Sequence, residues 1–260
     1  MSKDIKELCF DGTGRTGIVT GASSGLGVTF AEALAEIGVN LVICARRKRQ
    51  LEKVADGLNR RFEVEVVPFE CDVTDQNRVR QMVEETVDRF GSLEILINNA
   101  GTSAINPSVE MPLDDWKKVI EVNLTGVFIC SREAAKEMIK NSYGKIINIA
   151  SIYGEVGDIF NAAPYYASKG GVVNLTRSLA IEWAKHKINV NAIAPGFFPS
   201  EMTEDLFKDE DTLEYIKSRT PINRIGDLRD LKAAIIYLAS PGSDYVTGQT
   251  LFVDGGWTAL

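Results

Sequence analysis

Tyr165 and Lys169 stand four residues apart in Tyr165-Tyr166-Ala167-Ser168-Lys169. On a helix that spacing puts both side chains on one face, one turn apart. A phenol exchanges protons poorly near neutral pH unless its pKa falls. A nearby ammonium favours the phenolate and lowers it, so the pair is a candidate acid/base unit. Other polar residues fall at places where such a unit needs company. Ser151 follows the apolar run Gly144–Ala150, and Asn98-Asn99-Ala100-Gly101 ends the run before it. In open α/β sheets ligands sit at the carboxyl ends of strands. Asn123 lies within the helix pattern WKKVIEVNLTGVFI. Asn is a middling helix former, so its presence there needs a reason.

A second constellation lies near the amino terminus. The run Thr16–Thr20 leads into Gly21-Ala22-Ser23-Ser24-Gly25-Leu26-Gly27, and a helix pattern follows. Glycines let the backbone approach a pyrophosphate closely. The helix start offers unpaired N–H groups and the positive end of its dipole. Dinucleotide folds often place an Asp or Glu about 20 residues on, to bind the adenine ribose of NAD. Here the next strand ends in Cys44-Ala45-Arg46-Arg47-Lys48, without a carboxylate. Cations are mildly unfavourable at a helix start. A guanidinium fork suits a phosphate, so Arg46 and Arg47 point to a 2′-phosphate and to NADP(H) in preference to NAD(H).

These residues need a scaffold, and the rest of the chain supplies one. Apolar runs recur at Thr16–Thr20, Asn40–Ala45, Val64–Phe69, Leu93–Asn98, Gly144–Ala150, Ile188–Ile193 and Thr250–Val253. Helix-length amphipathic segments lie between them near 26–37, 48–60, 75–90, 113–140, 165–185 and 227–239. Alternating strands and helices imply βαβ units and a parallel sheet covered on both faces. The expected fold is therefore α/β: a doubly wound parallel sheet of about seven strands in a single domain spanning 1–260. Residues of about 197–226 are the least regular and strongly acidic, and read as a lid over the strand ends.

Composition narrows the function. A formal net charge of -7 argues against a nucleic-acid partner, which usually leaves a basic footprint. The single histidine, His186, sits between two lysines at a helix end and reads as a surface residue. A histidine-based metal site and a Ser-His-Asp triad are disfavoured, and no metal is expected. Cys9, Cys44, Cys71 and Cys130 form no C-x-x-C pair, which suits a reducing compartment. The amino-terminal MSKDIKELCFDG has no apolar secretory core, and no run approaches the ~18 apolar residues of a membrane span. A cytoplasmic protein that binds no membrane is the expectation.

Taken together, the motifs resemble those of the short-chain dehydrogenase/reductase family, from Gly17 to Trp257 and in the family's order. TGASSGLG is similar to its cofactor loop, NNAG to its sheet-centre motif and YYASK to its Y-x-x-x-K. The resemblance implies a Rossmann-type fold and reversible reduction of a carbonyl. It implies that Tyr165 exchanges the substrate proton, that Lys169 lowers the Tyr165 pKa and holds the nicotinamide ribose, and that Ser151 hydrogen-bonds the reacting oxygen. Asn123 would support a water that relays protons to Lys169. In the cofactor site the resemblance places Gly21, Ser23, Ser24, Gly25, Leu26, Gly27, Arg46, Arg47, Asp72, Val73, Asn99, Ala100 and Gly101. Asp72 would contact the adenine. Pro195, Gly196, Phe198 and Ser200 would hold the nicotinamide amide, Ser200 replacing the usual Thr. The family usually forms homotetramers through two long helices and the carboxyl-terminal segment.

For the small-molecule substrate, SLAIEWAKHKINVNAIAPGFFPSEMT most resembles gluconate dehydrogenase-like and general ketone reductase branches. The 3-oxoacyl thioester (acyl-carrier-protein) reductases are the rival. Their carrier-gripping basic residues would align with Ile129 and Ile181, and Asp209-Glu210-Asp211 in the lid would repel an acidic carrier. Phe197, Phe198, Met202, Leu206 and Phe207 would line a pocket or form the lid's own packing face. A non-catalytic NADP(H) sensor is the remote alternative.

Overall fold

A computed structural model describes residues 9–260. The expectation of no secretory segment falls mainly on residues 1–8, which lie outside the described residues. The strands are β1 (Thr16–Thr20), β2 (Asn40–Ala45), β3 (Val66–Glu70), β4 (Ile95–Asn98), β5 (Gly144–Ile149), β6 (Ile188–Pro195) and β7 (Thr250–Val253). They form one parallel sheet in the order β3-β2-β1-β4-β5-β6-β7. The helices are α1 (Gly25–Glu36), α2 (Lys48–Arg61), α3 (Gln76–Phe90), α4 (Leu113–Ile120), α5 (Gly126–Asn141), α6 (Ala163–Trp183), α7 (Glu204–Lys208), α8 (Glu210–Arg219) and α9 (Leu228–Ala239).

The side-chain period of two divides the strands between two cores. Val19, Leu41, Ile43, Ile97 and Ile147 pack with Phe30 and Leu34 of α1 and Leu231 and Ile235 of α9. Their strand neighbours Ile18, Val42, Cys44, Leu96 and Ile146 pack with Met82 of α3, Met138 of α5 and Leu179 of α6. Every residue of β1 and β5 is buried, as expected of strands covered on both faces. Pro68 falls in β3, an edge strand, where a missing N–H leaves the interior ladders intact.

Strand ends differ from the apolar runs where pairing, not hydrophobicity, sets them. β6 continues past Ile193 because Ala194 and Pro195 pair with Phe252 and Val253. The helix pattern over 113–140 is not one helix. A π-turn over Glu121–Thr125 separates α4 from α5, and Asn123 sits in it. The segment read as a lid, about 197–226, holds α7 and α8.

The chain winds from β1 outward to β3, then crosses back to β4 on the other side of β1. This reversal opens a crevice beyond the carboxyl ends of β1 and β4, the usual ligand position in such sheets.

Candidate active site

The loop after β1 is held by the loop after β4. The Thr20 hydroxyl accepts hydrogen bonds from the Asn99 and Ala100 amides, both at 3.0 Å. The Asn99 side-chain amide donates to the carbonyls of Thr20 at 2.9 Å and Gly21 at 3.1 Å. The two loops touch so closely that a Cβ on Gly21 would lie 2.8 Å from the Ala100 Cα, and one on Gly27 would lie 2.6 Å from the Asn99 side-chain nitrogen. Gly21 also has φ +67, which other residues rarely adopt. Ser24, the N-cap of α1, makes no side-chain cap bond. The first N–H groups of α1 are thus left for an outside acceptor. The cradle fits a dinucleotide phosphate.

The cleft above has a volume of about 440 Å³ and runs from Arg46, Arg47, Asp72 and Val73 at one end to Ser151, Tyr165 and Lys169 at the other. At the first end, Arg46 is 3.8 Å from the Asp72 carboxylate, whose other oxygen is fixed by Thr74 through bonds of 3.0 and 2.8 Å. Arg47 reaches across the cleft mouth. It donates to the Ser23 hydroxyl at 3.0 Å and the Ser24 hydroxyl at 2.5 Å, and pairs with Glu201 of the lid at 3.0 Å.

At the second end the polar groups are buried. Ser151 follows β5 and its hydroxyl accepts from the Tyr153 amide at 3.2 Å. Tyr165 and Lys169 lie on the first turns of α6. The Lys169 ammonium donates to the Ile149 carbonyl at 2.6 Å and lies 5.5 Å from the centre of the Tyr165 ring. Asn123 is completely buried. Its side-chain oxygen accepts from the Thr102 amide at 2.8 Å. Its NH2 group donates to the Thr102 carbonyl at 2.9 Å and the Ser168 hydroxyl at 3.1 Å. Ser168 in turn donates to the Tyr165 carbonyl at 2.8 Å. One side chain therefore ties the loop after β4 to the helix that carries Tyr165 and Lys169, which explains an Asn at this helical position.

The titration of the pair differs from the sequence expectation. Burial raises the Tyr165 phenol above its ordinary range, and the Ser151 hydroxyl opposes this. Burial also lowers the Lys169 ammonium to about 8. The ammonium's hydrogen bond goes to Ile149, so in this arrangement desolvation, not the lysine charge, governs the phenol.

Besides its apolar contacts and the Arg47–Glu201 pair, the lid segment is held by hydrogen bonds at its start and farther along. At its start, the Thr203 hydroxyl donates to the Phe198 carbonyl at 2.6 Å and accepts from the Ser200 amide at 3.0 Å. This holds Ser200 over the phosphate loop, 3.4 Å from where a Gly25 Cβ would be. Farther along, Asp158 accepts from the phenols of Tyr153 at 3.1 Å and Tyr215 of α8 at 2.6 Å. Tyr153 stacks on Tyr166 at 4.5 Å and meets the Tyr165 ring edge-on at 6.5 Å. The apolar lid residues divide. Phe197, Leu206 and Phe207 pack with Ile216 and Trp257, whereas Phe198 and Met202 line the cleft.

Most of the residues named from sequence meet along this cleft, including Leu26, Gly25, Gly101, Pro195, Gly196 and Ser200. Gly27 and Asn123 do not line it; they shape it from behind. Ile129 is buried in the core, so its apolar character carries no information about an acidic carrier. Ile181 is 82% exposed. Sequence reasoning missed Thr20, Thr102 and Ser168, whose bonds to Asn99 and Asn123 join segments distant in the chain. It also missed Glu201, hidden among the lid's many carboxylates. Among the described residues no group of side chains has a metal-binding arrangement, and no helix is long and apolar enough to cross a membrane.

Known proteins share this architecture. A family model described as Enoyl-(Acyl carrier protein) reductase, of the short-chain dehydrogenase/reductase class, matches residues 21–258. Gluconate 5-dehydrogenase of Gluconobacter oxydans is 38% identical over 252 residues, 96% of each chain. A 3-oxoacyl-acyl-carrier-protein reductase of Staphylococcus aureus is 39% identical over 243 residues, covering 93% of this chain and 97% of that protein. The crystal structure of a gluconate 5-dehydrogenase from Burkholderia cenocepacia in complex with NADP and tartrate superimposes with a TM-score of 0.92 at 38% identity, covering 96% of this chain and 98% of that one.

Proposed function

Since the chain belongs to the short-chain dehydrogenase/reductase family and is an oxidoreductase acting on CH–OH groups, we propose that it is an NADP(H)-preferring enzyme of a sugar acid or polyol, of the gluconate and 5-keto-gluconate type. The observation that carries the reaction is the meeting of Ser151, Tyr165 and Lys169 at one end of the cleft whose other end carries Arg46 and Arg47. When bound, the cofactor supplies or accepts the hydride.

The protein's residues do the rest. Gly21, Ser23, Ser24, Gly25 and Leu26, with the start of α1, hold the pyrophosphate. Arg46 and Arg47 take the 2′-phosphate, and Asp72 and Val73 border the adenine. Asn99, Ala100 and Gly101 floor the ribose, and Pro195, Gly196, Phe198 and Ser200 face the nicotinamide amide. Ser151 positions the substrate oxygen. Tyr165, kept protonated by its raised pKa, donates its proton to that oxygen on reduction. The reverse reaction needs the phenolate and therefore gains as pH rises. Lys169 binds the ribose, and Asn123 holds the local backbone that supports a relay water.

The gluconate enzymes among the relatives support the sugar-acid reading. The acyl-carrier-protein reductase relative, at 39% identity, supports a second reading, a 3-oxoacyl thioester reductase. Free cysteines, three of them buried, suit a cytoplasmic setting. Trp116, Phe128 and Leu251 are exposed on α4, α5 and β7, where a homotetramer would cover them.

The test is NADPH oxidation by the purified protein with 5-keto-gluconate and with a 3-oxoacyl thioester, side by side with Tyr165→Phe. The expected result is a preference for the keto-acid, and a loss in the variant of at least about 100-fold with NADPH binding kept. Preference for the thioester replaces the substrate reading. Turnover retained in Tyr165→Phe removes the mechanism.

A further inference from the structure

Three segments meet at Arg47: the phosphate loop, the tip of β2 and the lid. The guanidinium donates from Nε and Nη2 to the Ser23 hydroxyl at 3.2 and 3.0 Å and from Nη2 to the Ser24 hydroxyl at 2.5 Å. Its Nη1 donates to Glu201 Oε1 at 3.1 Å, and its Nη2 lies 3.0 Å from Glu201 Oε2. Both carboxylate oxygens thus face the guanidinium fork, the geometry in which arginine also takes a phosphate. All four residues line the cofactor cleft, and Glu201 directly follows Ser200 at the lid's start.

We propose that Glu201 is a built-in competitor for the cofactor's 2′-phosphate. Its carboxylate occupies the Arg47 fork until the phosphate displaces it, so the residue restrains NADP(H) affinity and leaves NAD(H) affinity alone. The proposal rests on the reading that Arg46 and Arg47 hold a 2′-phosphate. Two anions sharing one guanidinium repel each other, so an incoming phosphate must drive the carboxylate off. NADH brings no group to that place and meets no such rival. Arg47 and Ser24 both hold the Glu201 carboxyl below the usual range, so it is ionised whenever the phosphate arrives. Displacement also frees the lid next to Ser200, coupling the adenine end of the cleft to the segment facing the nicotinamide. As the phosphate leaves, the carboxylate returns to the fork from an adjacent position and favours release.

The pair is exposed, with side chains 44% and 61% accessible, and exposed pairs are worth little. The effect is therefore a modest adjustment of affinity, up to about five-fold.

Calorimetric titration with 2′,5′-ADP and 5′-ADP isolates this end of the cleft from the chemistry. Glu201→Gln keeps the shape and removes the charge. It should tighten 2′,5′-ADP by about two- to five-fold, leave 5′-ADP unchanged, and lose its effect in an Arg47→Ala background. Unchanged or weaker 2′,5′-ADP binding in Glu201→Gln, equal tightening of both nucleotides, or an effect that survives Arg47→Ala overturns the competitor. Arg46→Ala and Arg47→Ala serve as the separate check. If neither weakens 2′,5′-ADP more than 5′-ADP, the phosphate reading itself fails and the proposal goes with it. If they do and Glu201→Gln is silent, only the competitor role fails.

Discussion

The two ends of the cleft solve the same problem, holding a polar group in place, by different means. At the catalytic end Asn123, Ser151 and Lys169 are 0%, 7% and 4% exposed, and their bonds run largely to backbone groups. At the phosphate end the Arg46 and Arg47 side chains are 69% and 44% exposed and bond to other side chains. Buried polar groups are stiff because each lost bond leaves an unsatisfied group. Exposed ion pairs exchange partners easily because water takes over. The acid/base role proposed for that end needs the first, since proton transfer requires a fixed geometry. The proposed cofactor phosphate, which must come and go, would be served by the second.

The sharpest way to break the contrast is Asn123→Ala. It strips both Thr102 backbone groups and Ser168 of a partner; the Thr102 groups are half-buried and Ser168 keeps its bond to Tyr165, so each loss costs about 1 kcal/mol, the low end for an unpaired group. Urea unfolding should show a loss of about 2–4 kcal/mol, with a parallel fall in kcat. A loss within the ±0.5 kcal/mol typical of surface changes would mean the catalytic end is no stiffer than the rest. Arg46→Ala is its counterpart. Stability should stay within about 0.5 kcal/mol, while NADPH binding weakens by about ten-fold or more, the worth of a charge-assisted bond, and NADH binding holds. Equal weakening of both cofactors would place the 2′-phosphate elsewhere.

The smallest effect concerns pH. Burial lowers Lys169 to about 8 from 10.5, so the unfolded chain binds the proton more tightly than the folded one. The desolvation cost is present in full below the folded value and fades as pH rises through the window from about 8 to 10.5. The melting temperature of the wild type relative to Lys169→Met should climb across that window by on the order of a few degrees. A flat difference would show that the ammonium is solvated, and would soften the catalytic end's claim to stiffness.

The residues proposed as catalytic stand out in the sequence more than the groups that support them. Tyr165 and Lys169 are legible because a helical turn brings i and i+4 together whatever the rest of the chain does. The Gly21–Gly27 loop is legible because close backbone approach excludes larger residues, and Arg46 because it replaces an expected carboxylate. Thr20, Thr102 and Ser168 carry no such signal. Their partners are 79, 21 and 45 residues away, and only the folded sheet makes them neighbours. The break in the helix over 113–140 was equally hidden, since apolar periodicity runs smoothly through the π-turn. Ile129 shows the reverse error: a position aligned with carrier-contacting residues is core, because the face a helix residue presents depends on what packs against it.

By itself the sequence determined the α/β class, the order of the strands along the chain, the helical pairing of Tyr165 with Lys169 and the cations Arg46 and Arg47 that follow the second strand. These depend on short-range periodicity and on residue type. The tertiary structure decided which groups are dry, and with that the directions of the Tyr165 and Lys169 shifts. It also decided that Glu201, one carboxylate among many in the lid, closes on Arg47. Burial and charge pairing are sums over neighbours distant in the chain, and only the packed sheet brings those neighbours together.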